Sequence, residues 1–88
     1  MAKSQYVVEI KQSARKELER LPNALIARIF AKIEALQDDP RPAGCKKLKG
    51  DEATYRIRIG DYRVVYTIDD GKILVTVIRI RHRREVYE

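Results

Sequence analysis

The hydrophobic positions of this chain change period twice. Residues 6–10, Tyr-Val-Val-Glu-Ile, form a short apolar run that predicts a strand. Ala14, Leu18 and Leu21 then fall at i, i+4 and i+7, on one face of a helix. Ser13 is placed to cap that helix, with Glu17 in its first turn, where a negative charge suits the helix dipole. Pro22 stops it, and Asn23 is placed to cap the next. Leu25, Ile26, Ile29, Phe30, Ile33 and Leu36 repeat every 3.6 residues and predict a second helix, giving an αα-hairpin. Residues 38–44 carry two prolines and a glycine and read as a loop, which residues 45–50 continue as a basic connector.

From Tyr55 the period becomes two. Tyr55, Ile57 and Ile59 alternate with Arg56 and Arg58, and Tyr62, Val64, Tyr66 and Ile68 alternate with Arg63, Val65 and Thr67. Gly60-Asp61 between them is a two-residue hairpin signal. With that turn, Ile59 opposes Tyr62, Arg58 opposes Arg63, Ile57 opposes Val64 and Arg56 opposes Val65. A second turn signal, Asp70-Gly71, leads to residues 73–80, a strand apolar on both sides and therefore central or covered on both faces. Helices followed by hairpin strands predict an α+β fold: an N-terminal strand, a two-helix hairpin, then a three-stranded antiparallel meander. The helices are expected on the face carrying Tyr55, Ile57, Ile59, Tyr62, Val64 and Tyr66. The N-terminal strand joins the same sheet at a position the pattern does not assign. Residues 1–88 read as a single domain, with no repeat or linker.

Composition narrows the classes. A chain 44% hydrophobic and 36% charged is expected to fold. No apolar run nears the roughly 20 residues of a membrane helix. The opening residues lack the apolar core of a signal peptide, so a cytoplasmic protein without membrane contact is expected. Cys45, the only cysteine, can form no internal disulfide, and one thiol with one histidine makes no metal site. The net charge is +6. Residues 1–40 carry seven Lys/Arg and six Asp/Glu; residues 41–88 carry twelve and seven. The basic excess sits in the second half and favours a polyanionic partner, a nucleic acid or an acidic peptide.

Alternation puts Arg56, Arg58 and Arg63 on one face, away from the core. Arg58 directly across from Arg63 destabilises a hairpin by roughly 0.2–1 kcal/mol, a cost that an anionic ligand would offset. Arg79, Arg81, Arg83 and Arg84 follow within six residues, with His82 among them and Tyr87 beyond. Guanidinium groups with an aromatic platform suit single-stranded RNA, where phosphates meet arginine and an unstacked base meets a ring. A solvated charged face and an acidic protein partner are open alternatives on composition alone. Among arginines, the His82 imidazole is expected to be neutral and able to accept a proton.

Three segments in order, residues 39–50, residues 55–66 (YRIRIGDYRVVY) and residues 81–87 (RHRREVY), resemble the RelE branch of the RelE/ParE toxin superfamily. The resemblance spans almost the whole chain. It implies the toxin of a type II toxin–antitoxin pair. Such a toxin enters the ribosomal A site and cuts the exposed messenger-RNA codon, without metal or cofactor. The ribose 2′-hydroxyl attacks the adjacent phosphorus and leaves a 2′,3′-cyclic phosphate and a free 5′-hydroxyl. By resemblance, Arg56 and Arg58 occupy two basic positions on one strand. Arg63 meets the scissile phosphate, Arg83 serves the phosphate and leaving group, and Tyr87 stacks on a base. Arg81, Arg84, Lys46, Lys47 and Lys49 are further RNA-binding candidates. The best-known member has lysines at the positions of Arg56 and Arg58. Arginine, with a pKa above about 12, cannot serve as base there. His82 is the first candidate for that role and Glu85 the second.

The partners implied are an antitoxin with an acidic or amphipathic segment, the ribosome with its message, and operator DNA only through the antitoxin. Because the sequence stops at Glu88 without that member's C-terminal helix, the antitoxin is expected to act without displacing one. Two alternatives share the fold: a ParE-like inhibitor of DNA gyrase, and an inactive homologue that only binds its antitoxin.

Overall fold

The computed structural model describes residues 5–48, 50 and 53–82. Strand β1 (Val7–Ile10) leads into helices α1 (Gln12–Glu19) and α2 (Asn23–Ala35). Strands β2 (Lys46–Lys47), β3 (Thr54–Ile59), β4 (Tyr62–Asp69) and β5 (Leu74–His82) follow. They form one five-stranded sheet in the order β1-β5-β4-β3-β2, in which β1 runs parallel to β5 and the other pairs are antiparallel. The α+β fold, the helical hairpin and the meander stand as the sequence predicts. The N-terminal strand takes the edge beside β5, which makes β5 central and explains its apolar sides.

Both helices lie on one face. Ala14 and Leu18 of α1 and Ile29 and Ile33 of α2, with Leu36, close a core with Ile57, Ile59, Val64, Tyr66, Ile68, Val75, Val77 and Ile80. Phe30, placed by period among the core positions of α2, is 43% exposed at the rim of the apolar stripe. The Tyr66 hydroxyl donates to the Pro40 carbonyl at 2.8 Å and ties the loop after α2 to the buried sheet. Burial is the leading cause that pushes this phenol above its ordinary pKa. On the surface, Arg41 pairs with Asp70 at 2.9 Å and lies over the Tyr55 ring at 5.2 Å. The Tyr6 hydroxyl donates to Asp70 at 2.7 Å. The Arg41 and Tyr6 bonds hold the Asp70 carboxyl below its usual range.

Three local expectations are corrected. Helix α1 starts one residue before Ser13, and Lys11 takes the cap position. Lys11 donates its N–H to Val77 and accepts from Arg15 N–H, so the end of the strand ladder is also the first turn of the helix. Glu17 consequently sits mid-helix. Pro22, not Asn23, occupies the cap position of α2, and α1 ends before it with Arg20 as its C-cap. The basic connector is partly strand, because Lys46 and Lys47 pair with Arg56 and Tyr55. The turn at Asp70-Gly71 forms where the sequence places it, spans residues 70–73, and holds Ile73 in a left-handed backbone (φ 53). No helix among the described residues is long and apolar enough to cross a membrane.

Candidate active site

The site is built on the β3–β4 hairpin and the end of β5. Gly60 takes φ +59 at the first turn position, as the Gly-X turn of a two-residue hairpin requires. The register is the one the sequence predicts, with Ile59 opposite Tyr62, Arg58 opposite Arg63 and Arg56 opposite Val65. Ile57, Ile59 and Val64 are buried against the helices, so alternation turns the arginines to the other face.

Strand β5 adds a feature the sequence does not reveal. Val65 opposes Arg79 while Tyr66 opposes Val77, which leaves Ile78 as an extra residue in a β-bulge. The bulge resets the alternation. Val77 and Ile80 both face the core, and Arg79 and Arg81 both turn to the arginine face. Two rungs therefore cross the sheet on that face. One runs Lys46, Arg56, Val65, Arg79; the next runs Arg58, Arg63, Arg81. Neighbouring strands lie about 4.8 Å apart, so the second rung places three guanidinium-bearing residues side by side.

The face is not uniformly open. Arg56 is only 7% exposed and Val65 only 4%, which corrects the expectation of a bare arginine surface at this point. Arg63 is half-buried and Arg58 exposed. Arg58 leans back over the turn, its Nε 3.4 Å from the Gly60 carbonyl, and borders a cleft of about 360 Å³ with Lys32, Ala35 and the 42–44 loop. Arg81 is held by Glu17, its Nε donating to the carboxylate at 2.9 Å. Lys46 shares the arginine face through its pairing with Arg56, whereas Lys47, opposite Tyr55, is turned to the helix side.

His82 is turned to the opposite face of the sheet from Arg58 and Arg63. The same bulge places it opposite Tyr62 on the helix side, with its ring edge-on to the Tyr62 ring at 5.3 Å. There it lines a pocket with Glu17, Arg20, Leu21, Ile80 and Arg81. The expected place of His82 among the arginines therefore does not extend to the Arg58–Arg63 pair, and Arg83 and Arg84 lie outside the described residues. Arg83, Arg84, Glu85, Tyr87 and Lys49 lie outside the described residues. Sequence reasoning missed Glu17 as a partner of Arg81 and Arg79 as a member of the face. Their signal is the bulge, which a run of apolar residues conceals.

Guanidinium groups are suited chemically to pair with phosphate, and comparison with known proteins decides the family. Residues 8–87 match the family described as ParE toxin of type II toxin–antitoxin system, parDE. The chain belongs to this family, and within it to the RelE type. It is 39% identical over 84 residues to Toxin RelE of Mycobacterium tuberculosis, covering 93% of this chain and 86% of that protein. It is 31% identical over 86 residues to mRNA interferase toxin RelE of Escherichia coli K12, covering 93% of this chain and 90% of that protein. The archaeal RelE–RelB complex from Pyrococcus horikoshii superposes with a TM-score of 0.82 at 29% identity, covering 93% of this chain and 99% of that one. The protein is the toxin of a type II toxin–antitoxin system.

Proposed function

We propose that this toxin is a messenger-RNA endonuclease that cuts A-site codons on the ribosome and so arrests translation. The observation that carries the reading is the rung Arg58–Arg63–Arg81. Like charges share one row, with Arg81 already held by Glu17, and a phosphodiester placed among them gains attraction from each guanidinium. In the 2′-hydroxyl attack, negative charge gathers on the phosphate oxygens, and fixed guanidinium groups stabilise it. The relative named an mRNA interferase supports the same chemistry.

The rung supplies charge and geometry and holds no group able to take a proton at neutral pH. Catalysis in this reading rests on electrostatic stabilisation and in-line positioning of the message by the ribosome. Arg63 meets the scissile phosphate, flanked by Arg58 and Arg81. Arg56, being buried, contributes field more than contact. Lys46 steers the backbone at the sheet edge. By resemblance, Arg83 assists the leaving group, Tyr87 stacks on a codon base, and Arg84 and Lys49 add backbone contacts. The partner that silences the toxin is an antitoxin, as in the archaeal RelE–RelB complex, and one with an acidic segment suits this face. Operator DNA is reached through that antitoxin, and the cytoplasm is the site of action. A gyrase inhibitor on the same fold needs no RNA-cleaving constellation, and the arginine rung weighs against it.

The test is to induce the toxin in cells and map messenger-RNA ends by primer extension. The reading expects in-frame cuts confined to translated regions. Gyrase-dependent DNA breaks with intact messages would select the ParE-like alternative, and neither effect would select an inactive homologue.

A further inference from the structure

Strand β1 covers the edge of β5 only as far as Val77: Ile10 opposes Val77, and Lys11 N–H bonds its carbonyl at 2.9 Å. Beyond that point the Glu17 carboxylate stands where a strand would. Its Oε1 accepts the Ile80 backbone N–H at 2.8 Å, and its Oε2 accepts Arg81 Nε–H at 2.9 Å. The Glu17 side chain is 24% exposed and that of Arg81 37%, so both bonds are partly sheltered from water. One side chain thus fixes the backbone at one residue and the guanidinium at the next. Because Arg81 is held through Nε, its two terminal amino groups stay available to an anion. An untethered arginine in this place would spread over many rotamers and recoil from Arg63 across the strand.

We propose that Glu17 is a positioning residue, which sets the Arg81 guanidinium beside Arg63 so that the scissile phosphate meets a preformed pair. This rests on the reading that the arginine rung receives the phosphate of a cut message. Glu17 touches no substrate and acts through Arg81.

Single-turnover cleavage by purified toxin on ribosomes carrying a short message tests it. Glu17→Gln keeps the size of the side chain and an oxygen for Ile80 N–H, but weakens the hold on Arg81. The cleavage rate constant should fall by about tenfold or more, since a misplacement of ~1 Å can cost about 10²-fold. The thermal midpoint should hardly move. In an Arg81→Ala background the same change should cost nothing further, because the two residues act as a unit. An equal loss in both backgrounds, or none in the wild type, overturns the proposal.

A second measurement stands apart from activity. In the free toxin, ¹⁵N relaxation of Arg81 Nε–H should show an ordered side chain that becomes mobile in Glu17→Gln. Equal mobility in both proteins overturns the positioning role whether or not the toxin cuts RNA. An ordered Nε in a toxin that Arg81→Ala leaves at full rate would instead overturn the role of Arg81, and that of Glu17 with it.

Discussion

Arg58 on β3 stands directly across the sheet from Arg63 on β4. Their shared face is the one turned away from the helices, opposite the buried Ile57, Ile59 and Val64. Like charges in that relation oppose folding, and in the proposed reading a bound phosphate offsets that cost. Replacing Arg58 by threonine, a good strand former, should raise stability by roughly 0.2–1 kcal/mol in urea unfolding while lowering cleavage. A variant both less stable and fully active would show that the pair serves the fold.

Ile73 holds a left-handed backbone (φ 53) at the end of the β4–β5 turn. For a β-branched residue this conformation costs roughly 1–2 kcal/mol. Glycine relieves it, against a loss of roughly 0.5–1 kcal/mol in chain entropy. Ile73→Gly should therefore raise the unfolding free energy measured in urea by a net of up to about 1.5 kcal/mol and leave cleavage unchanged, since the turn is far along the strands from the arginine rung. A lowered midpoint would mean that the half-exposed side chain packs better than its surroundings suggest.

The buried Tyr66 hydroxyl donates to the Pro40 carbonyl. Tyr66→Phe removes one buried hydrogen bond and should cost about 1 kcal/mol, within the usual range of roughly 0.5–1.5. Thermal unfolding measures it. Amide exchange should quicken in the loop after Pro40, which borders the cleft beside Arg58. Unchanged stability would place water, not the loop, as the main partner of the phenol.

Asp70 accepts from Arg41 and Tyr6, and both bonds lower its pKa in the folded state. A depressed carboxyl pKa stabilises the fold at pH above the unfolded value, about 3.9. That contribution is lost as pH falls through the lower folded value. Asp70→Asn should thus be less stable than wild type at neutral pH, with the gap closing below about pH 4. The pair is well exposed, so added salt should also narrow the gap. A gap independent of pH would assign the effect to hydrogen bonding alone.

The hairpin was legible because two independent signals agreed. Gly60 demanded the turn, and the alternation of Tyr55, Ile57 and Ile59 with arginines fixed the face. Strand β2 was not legible, since two lysines joined to Arg56 and Tyr55 by backbone pairing leave no hydrophobic period. The seat of β1 was equally hidden, because a four-residue strand carries no mark of its neighbour. The bulge at Ile78 mattered most for the site. Between Leu74 and Ile80 nearly every side chain is apolar, so an extra residue breaks no visible pattern. Yet it decides that Arg81 joins the rung and that His82 faces the helices. Continued alternation from Val77 would have exchanged them.

The account turns on Arg63, the centre of the rung, with Arg58 on one side and Arg81 on the other. Arg63→Ala removes a partly exposed cation without opening the core, so the fold should persist with a cooperative unfolding transition close to wild type. The deciding measurement is single-turnover cleavage of a message held on the ribosome, wild type beside Arg63→Ala. A loss of about 10²-fold or more, the scale of removing one donor from an anion-stabilising site, is the result expected. A folded Arg63→Ala toxin that cuts at the wild-type rate would contradict the account.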